Sequence, residues 1–247
     1  MHRRHAGNGI RLDELLEAAA DPIEVFRADW GTYQTAIREN YMFHRDISTA
    51  IRKLLDQLQG PLKVLDLGCG DASQIPEIFK PGQVAEYRGC DLSAQALDVA
   101  HSNLAHLGNR AELLCRDMLE VLRESPVDCY DIVYSSYALH HLPSEEKQAF
   151  LNECRRTLGA DGILILVDIM REEGETLPEY FDRYIERMDA DWTGFSDIER
   201  RSIQDHIRSC DYPESPSVLQ SLARNAGLKK SRKLEKRTWH QAWCFMA

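Results

Sequence analysis

Residues Lys63 to Asp71 read KVLDLGCGD, and this string restricts the fold more than any other part of the chain. Val64, Leu65 and Leu67 supply the apolar run of a strand buried in a parallel sheet, while Gly68 and Gly70 let the backbone turn sharply beside a ligand. Residues Ala72 to Phe79 then read as a helix whose first amides face that ligand. A strand, a glycine turn and a helix in this order make a nucleotide-type site.

After Pro61 the strand and helix patterns alternate. Strands are expected at Lys63–Leu67, Tyr87–Asp91, Ala111–Arg116, Asp131–Ser135 and Ile163–Asp168, with helical periodicity between them, as in Ala94, Leu97, Ala100, His101 and Leu104. That order implies parallel strands covered by helices on both faces. Two last strand patterns, around Leu228–Lys236 and Trp239–Met246, make a closing antiparallel hairpin. Before Gly60 and Pro61 the chain is helical in character, with Leu12, Leu15 and Leu16 in one segment and Ile47, Ile51, Leu54, Leu55 and Leu58 in another. Between Leu177 and about Cys210 the alternation is interrupted by two inserted helices; Phe181, Tyr184, Ile185, Met188 and Trp192 mark the first, and Ser196 with Glu199 makes a capping box for the second. The expectation is an α/β domain at 61–247 with a Rossmann-like, doubly wound sheet, preceded by an N-terminal helical cap at 1–60 and carrying a helical lid at about 177–210.

The formal net charge of −10 argues against a general DNA or RNA binder, which needs Lys and Arg to neutralise phosphates. The basic cluster from Lys229 to Arg237 alternates along an expected edge hairpin, where lysines discourage strand pairing. No run approaches the roughly 18 apolar residues of a membrane span, and MHRRHAGNGI lacks an apolar segment after its basic residues, so a cytoplasmic protein without a membrane partner is expected. The seven cysteines show no C-x-x-C pair and no matching histidine spacing, so neither a metal site nor a disulfide framework is expected.

Acidic residues fall at the ends of three successive strands: Asp66, Asp91 and Asp117. In a doubly wound sheet these positions converge on one crevice, and the acid on the second strand is placed to accept from ribose hydroxyls. A dinucleotide fingerprint fits poorly, because Ser73 stands at its third glycine and because Asp66 and Asp71 would face a pyrophosphate. Both acids suit a cation better, and a nucleoside bearing a sulfonium and an ammonium group, S-adenosylmethionine, meets all of these demands.

The chain resembles the class I S-adenosylmethionine-dependent methyltransferases. VLDLGCGDAS is similar to their first motif, YRGCDLSAQALDVA to the second, LLCRDM to the third and YDIVYSSYALHHLP to the fourth, in the correct order across about Leu62 to Asp168. The resemblance implies a seven-stranded sheet, with Asp66, Gly68, Cys69 and Gly70 around the methionine portion of the cofactor and Asp91 on the ribose. It places Leu92 and Met118 against adenine, Asp117 on its amino group, and Ser135 and Ser136 near the sulfonium. Ala72 replaces a glycine that many members carry in the first motif.

Among Trp30, Tyr33, Arg38, Tyr41, His44 and Arg45, a residue to close over the cofactor is expected, with Tyr41 and Arg45 preferred because a guanidinium holds a carboxylate bidentately. His140 and His141 are candidate general bases, as is Asp168, but a place in the pocket wall or in the turn after the fourth strand is the favoured reading. Methyl transfer needs no base as such, since alignment and exclusion of water supply most of the acceleration. The expected function is methyl transfer to an oxygen, nitrogen or carbon of a small molecule, leaving S-adenosylhomocysteine. Two rivals are an enzyme of tRNA or cofactor modification, like the carboxy-S-adenosylmethionine synthases, and a non-catalytic partner that keeps the pocket. Oligomeric state is not encoded in anything legible.

Overall fold

The computed structural model describes residues 30–247; the Leu12, Leu15 and Leu16 segment lies outside the described residues, as do the side chains of residues 30–32. Among the described residues, two helices, α1 (Trp30–Arg38) and α2 (His44–Leu55), precede the sheet. The alternating part runs β1 (Leu62–Leu67), α3 (Ile75–Ile78), β2 (Val84–Asp91), α4 (Ala94–Asn103), β3 (Ala111–Cys115), α5 (Met118–Glu124), β4 (Tyr130–Ser136), α6 (Ser144–Thr157) and β5 (Leu158–Ile169). Then come α7 (Leu177–Asp191), α8 (Asp197–Cys210), α9 (Pro216–Asn225) and the hairpin β6 (Lys230–Arg237) and β7 (His240–Met246).

The sheet has seven strands in the order β3-β2-β1-β4-β5-β7-β6. All neighbours from β3 to β5 pair in parallel, and β7 runs antiparallel to both β5 and β6. The chain order reverses between β1 and β4, so the crevice at their carboxyl ends is where a doubly wound sheet binds its ligand. The central strands are near-continuous apolar runs because both faces are covered. Leu65, Val133, Leu164 and Leu166 pack into one layer, and Val64, Ile132, Ile163 and Ile165 into the other. The basic cluster sits on the edge strand β6, where Lys236 pairs with Glu172 at 2.9 Å and Arg237 with Asp46 at 3.1 Å.

The helix expected over residues 72–79 is only the four residues of α3. Ala72 takes a left-handed φ of +51°, which breaks helical continuity, and the amides before α3 serve the loop itself: Gly70 N donates to Asp91 and Ser73 N to Asp71. Both inserted helices form as expected. Capping boxes start them, Thr176 with Glu179 for α7 and Ser196 with Glu199 for α8.

Candidate active site

The glycine turn is held by the strand beside it. Gly68 N and Cys69 N both donate to the Cys90 carbonyl at 2.9 Å, and Gly70 N donates to Asp91 Oδ2 at 2.8 Å. Asp91 Oδ1 accepts from Ser93 N at 2.8 Å. Asp91 lines the cavity with its carboxylate anchored in this way. Burial raises the Asp91 pKa above the usual carboxylate range, while the Ser93 and Gly70 amides act against that rise.

Asp66 is buried beneath the turn. Its Oδ2 accepts from the Tyr87 hydroxyl at 2.7 Å, and its Oδ1 is buried without a hydrogen-bond partner. Burial pushes this carboxyl up to about 7, with the Tyr87 bond holding it back. Unpartnered buried carboxylate oxygen is costly, and a cationic ligand group would remove that cost.

Two connected spaces meet at this turn. A small one of about 40 Å3 lies over Asp66, Cys69 and Ala72 and is lined by Tyr33 and His44. A larger cavity of about 370 Å3 shares Tyr33, Gly68, Gly70 and Ser136 with it and runs past Asp91 and Leu92, then Asp117 and Met118. The same cavity is also walled by His140, His141, Tyr184, Trp192, His206 and Asp211. Asp117 also caps α5, its Oδ1 accepting from Leu119 N at 2.8 Å and Glu120 N at 3.0 Å, so it serves the helix and the cavity together.

Three expected positions do not line this space. Ser135 turns away, its hydroxyl donating to the Leu67 carbonyl at 2.9 Å, and Ser136 faces the cavity instead because successive strand residues alternate. Tyr41 lies under the lid, stacked on Trp192 with ring centroids 5.3 Å apart and accepting from Gly194 N at 2.8 Å. Arg45 is exposed and donates to the Arg38 carbonyl at 2.8 Å. In their place α1 presents Tyr33, Ala36 and Ile37, whose i, i+3, i+4 spacing puts them on one inward face; α2 adds His44 at its first residue. Burial drives the His44 pKa down to about 4, so its imidazole is neutral. The aromatic stripe of the lid divides its work: Phe181 packs in the core, whereas Tyr184 and Trp192 reach the cavity.

His140 is fully enclosed. Its Nδ1 meets Asp168 Oδ1 at 2.5 Å and its Nε2 stands 3.7 Å from Asp211 Oδ1. Burial pulls its pKa down, but the two carboxylates together raise it above the ordinary histidine value. His141 goes the other way, lowered by burial and by the neighbouring His140.

Crevice, glycine turn and the anchored Asp91 carboxylate together define a doubly wound α/β protein with a cavity at its switch point. Residues 64–162 match the methyltransferase domain family model. That match, over 99 of the 247 residues, supports a class I S-adenosylmethionine-dependent methyltransferase domain with S-adenosylmethionine as its cofactor. The chain is 28% identical over 175 residues to a polyamine aminopropyltransferase of Stenotrophomonas maltophilia, a match covering 64% of this chain and 61% of that protein. It is 26% identical over 156 residues to the phosphoethanolamine N-methyltransferase of Plasmodium falciparum, covering 63% of this chain and 57% of that one. The chain thus matches about three fifths of the length of these relatives. Among solved structures, an O-methyltransferase family protein from Burkholderia thailandensis shares the fold with a TM-score of 0.62 at 16% identity, over 96% of this chain and 67% of that one.

Among the described residues, no helix is long and apolar enough to cross a membrane.

Proposed function

We propose that the chain transfers a methyl group from S-adenosylmethionine to an oxygen, nitrogen or carbon atom of a small molecule. The observation that carries this reading is the continuity of the 370 Å3 cavity, which leads from the ribose acid Asp91 and the glycine turn to a separate end under the lid. One face holds a nucleoside; the other has room for an acceptor. Trp192, Phe195, Ile203 and Ile207 roof that end, which suits a small molecule better than a nucleic-acid strand, and the net charge of −10 points the same way.

When bound, S-adenosylmethionine would supply an activated methyl: an electron pair of the acceptor would form the new bond to carbon, the pair of the sulfur–carbon bond would pass to the thioether, and the acceptor's proton would leave to water. What this chain contributes is position. Asp91 fixes the ribose, Asp66 faces the cationic methionine end, and Ser136 lines the space at the end of β4. Apolar lid residues exclude water and hold the acceptor in line with the methyl. His140 and His141 are the groups of the pocket wall that meet the acceptor.

Calorimetric titration with S-adenosylhomocysteine tests the reading. One bound equivalent is expected, and its absence would return the chain to a non-catalytic role. The likeness to a polyamine aminopropyltransferase supports a second reading, transfer of an aminopropyl group. Mass spectrometry of acceptor pools incubated with the enzyme separates the two, because one product gains a methylene and the other an aminopropyl unit.

A further inference from the structure

A cluster that no sequence motif announces lies at the acceptor end of the cavity. His140 and His141 sit in the short turn after β4, whereas His206 and Asp211 come from the C-terminal end of the lid helix α8. The two segments are clamped together, since Tyr212 N donates to the His140 carbonyl at 2.7 Å. Asp211 is only 3% exposed, yet its Oδ1 has no hydrogen-bond partner. Three imidazole nitrogens surround that oxygen: His141 Nδ1 at 3.3 Å, which stands equally far from the Cys210 carbonyl, His140 Nε2 at 3.7 Å and His206 Nε2 at 3.8 Å.

The His141 separation is within reach of a hydrogen bond, whereas the other two are too long for one, and all three are compatible with atoms that share an ion. In a tetrahedral site with bonds of about 2.0–2.1 Å, neighbouring ligand atoms stand about 3.3 Å apart. The coordinating atoms of His140, His141 and Asp211 all lie within 4.8 Å of one another. The surroundings fit as well. Asp168 Oδ1 meets His140 Nδ1 at 2.5 Å, which orients the ring with Nε2 toward Asp211. A carboxylate behind a ligating histidine is the usual outer support of a metal site.

We propose that His140, His141 and Asp211 bind a divalent transition metal, with His206 flanking the site, at the acceptor end of the cofactor cavity. Two imidazoles and a carboxylate suit zinc, and three protein ligands leave a coordination position open. All four residues line the cavity, so that position is within reach of an acceptor oxygen. The same ion would tie α8 to the turn after β4 and hold the lid shut. Its use in presenting an acceptor rests on the methyltransferase reading; its binding does not.

The test is a zinc titration of chelator-treated protein by calorimetry, with S-adenosylhomocysteine titrated into the same preparation. One zinc equivalent is expected whose affinity falls at least tenfold in Asp211→Asn. Asp168→Asn, which leaves the three ligands in place, is expected to weaken it about 10- to 100-fold. Circular dichroism identifies any variant that fails to fold, and either variant suffices for the comparison. Histidines elsewhere, such as His2 and His5, are common to all three proteins and so cannot produce the difference. No zinc uptake, or equal uptake by all three, overturns the proposal. Cofactor binding without zinc binding removes the metal site alone, and zinc binding without cofactor binding upholds it while removing the cofactor reading.

Discussion

Gly68 and Ala138 approach so closely that a Cβ placed on Gly68 would lie 2.5 Å from the Ala138 Cβ. Gly68 also takes a φ of +71°, so two independent constraints require glycine at the end of β1. The turn after β4 packs against the turn after β1, and the cavity lies along both. Gly68→Ala is therefore expected to destabilise the protein by about 2 to 4 kcal/mol, from overpacking plus the left-handed backbone. Adding Ala138→Gly should restore the overpacking part only. Chemical denaturation of the two variants checks this, and a loss below about 0.5 kcal/mol in the single variant would show that the turns are not in contact.

The two oxygens of Asp91 hold Gly70 N and Ser93 N, and the proposed function has the same carboxylate accept from the ribose. Asp91→Ala removes both anchors and the acceptor for the ribose, so the affinity for S-adenosylhomocysteine should fall by about 1.5 to 3 kcal/mol, roughly 10- to 150-fold. An unchanged isotherm would place the nucleoside elsewhere.

The Asp66 carboxyl gives the unliganded fold a pH dependence of definite sign. Its pKa in the fold is about 7, raised by burial from 3.8, with Tyr87, Cys69 and Asp91 as its titratable neighbours. The folded state holds the proton more tightly than the unfolded chain. Its stabilising contribution is thus complete below about pH 4 and is lost as pH rises to about 7. A cation bound beside Asp66 favours its ionised form, so cofactor affinity should rise over the same window. Asp66→Asn should flatten both curves relative to the wild-type protein; parallel curves would contradict the assignment.

The N-terminal helices offer a contrast between neighbours. Tyr33 lines both spaces, whereas Tyr41 stacks on Trp192 and Arg45 reaches the Arg38 carbonyl. Tyr33→Ala should weaken S-adenosylhomocysteine binding by roughly tenfold, through loss of a buried aromatic wall. Arg45→Ala should leave it within about twofold, a difference worth less than about 0.5 kcal/mol. Tyr41→Phe should cost about 1 kcal/mol of stability by removing the acceptor for Gly194 N. Equal losses of affinity in the Tyr33 and Arg45 variants would restore the arginine as a cofactor ligand.

These contrasts mark what the sequence could convey. The strands were legible because burial on both faces of a parallel sheet leaves apolar runs such as Val64–Leu67 and Ile163–Val167, and Asp66, Asp91 and Asp117 marked their ends. Ser135 and Ser136 could not be told apart, since a shift of one residue exchanges the two faces of a strand and adjacent serines carry no pattern. The inward face of α1 was in principle readable from Tyr33, Ala36 and Ile37, but a bidentate arginine is the more conspicuous chemical signal. Asp211 carried no signal at all, because its meeting with His140 and His141 depends on how the lid returns to the sheet.

The most direct measurement is a crystal structure of the chain with S-adenosylhomocysteine. The account predicts ribose hydroxyls about 2.7 Å from the Asp91 carboxylate, adenine between Leu92 and Met118, and the sulfur facing the end of the cavity walled by His140 and His141. A nucleoside bound elsewhere, or a sulfur turned away from that end, would contradict it.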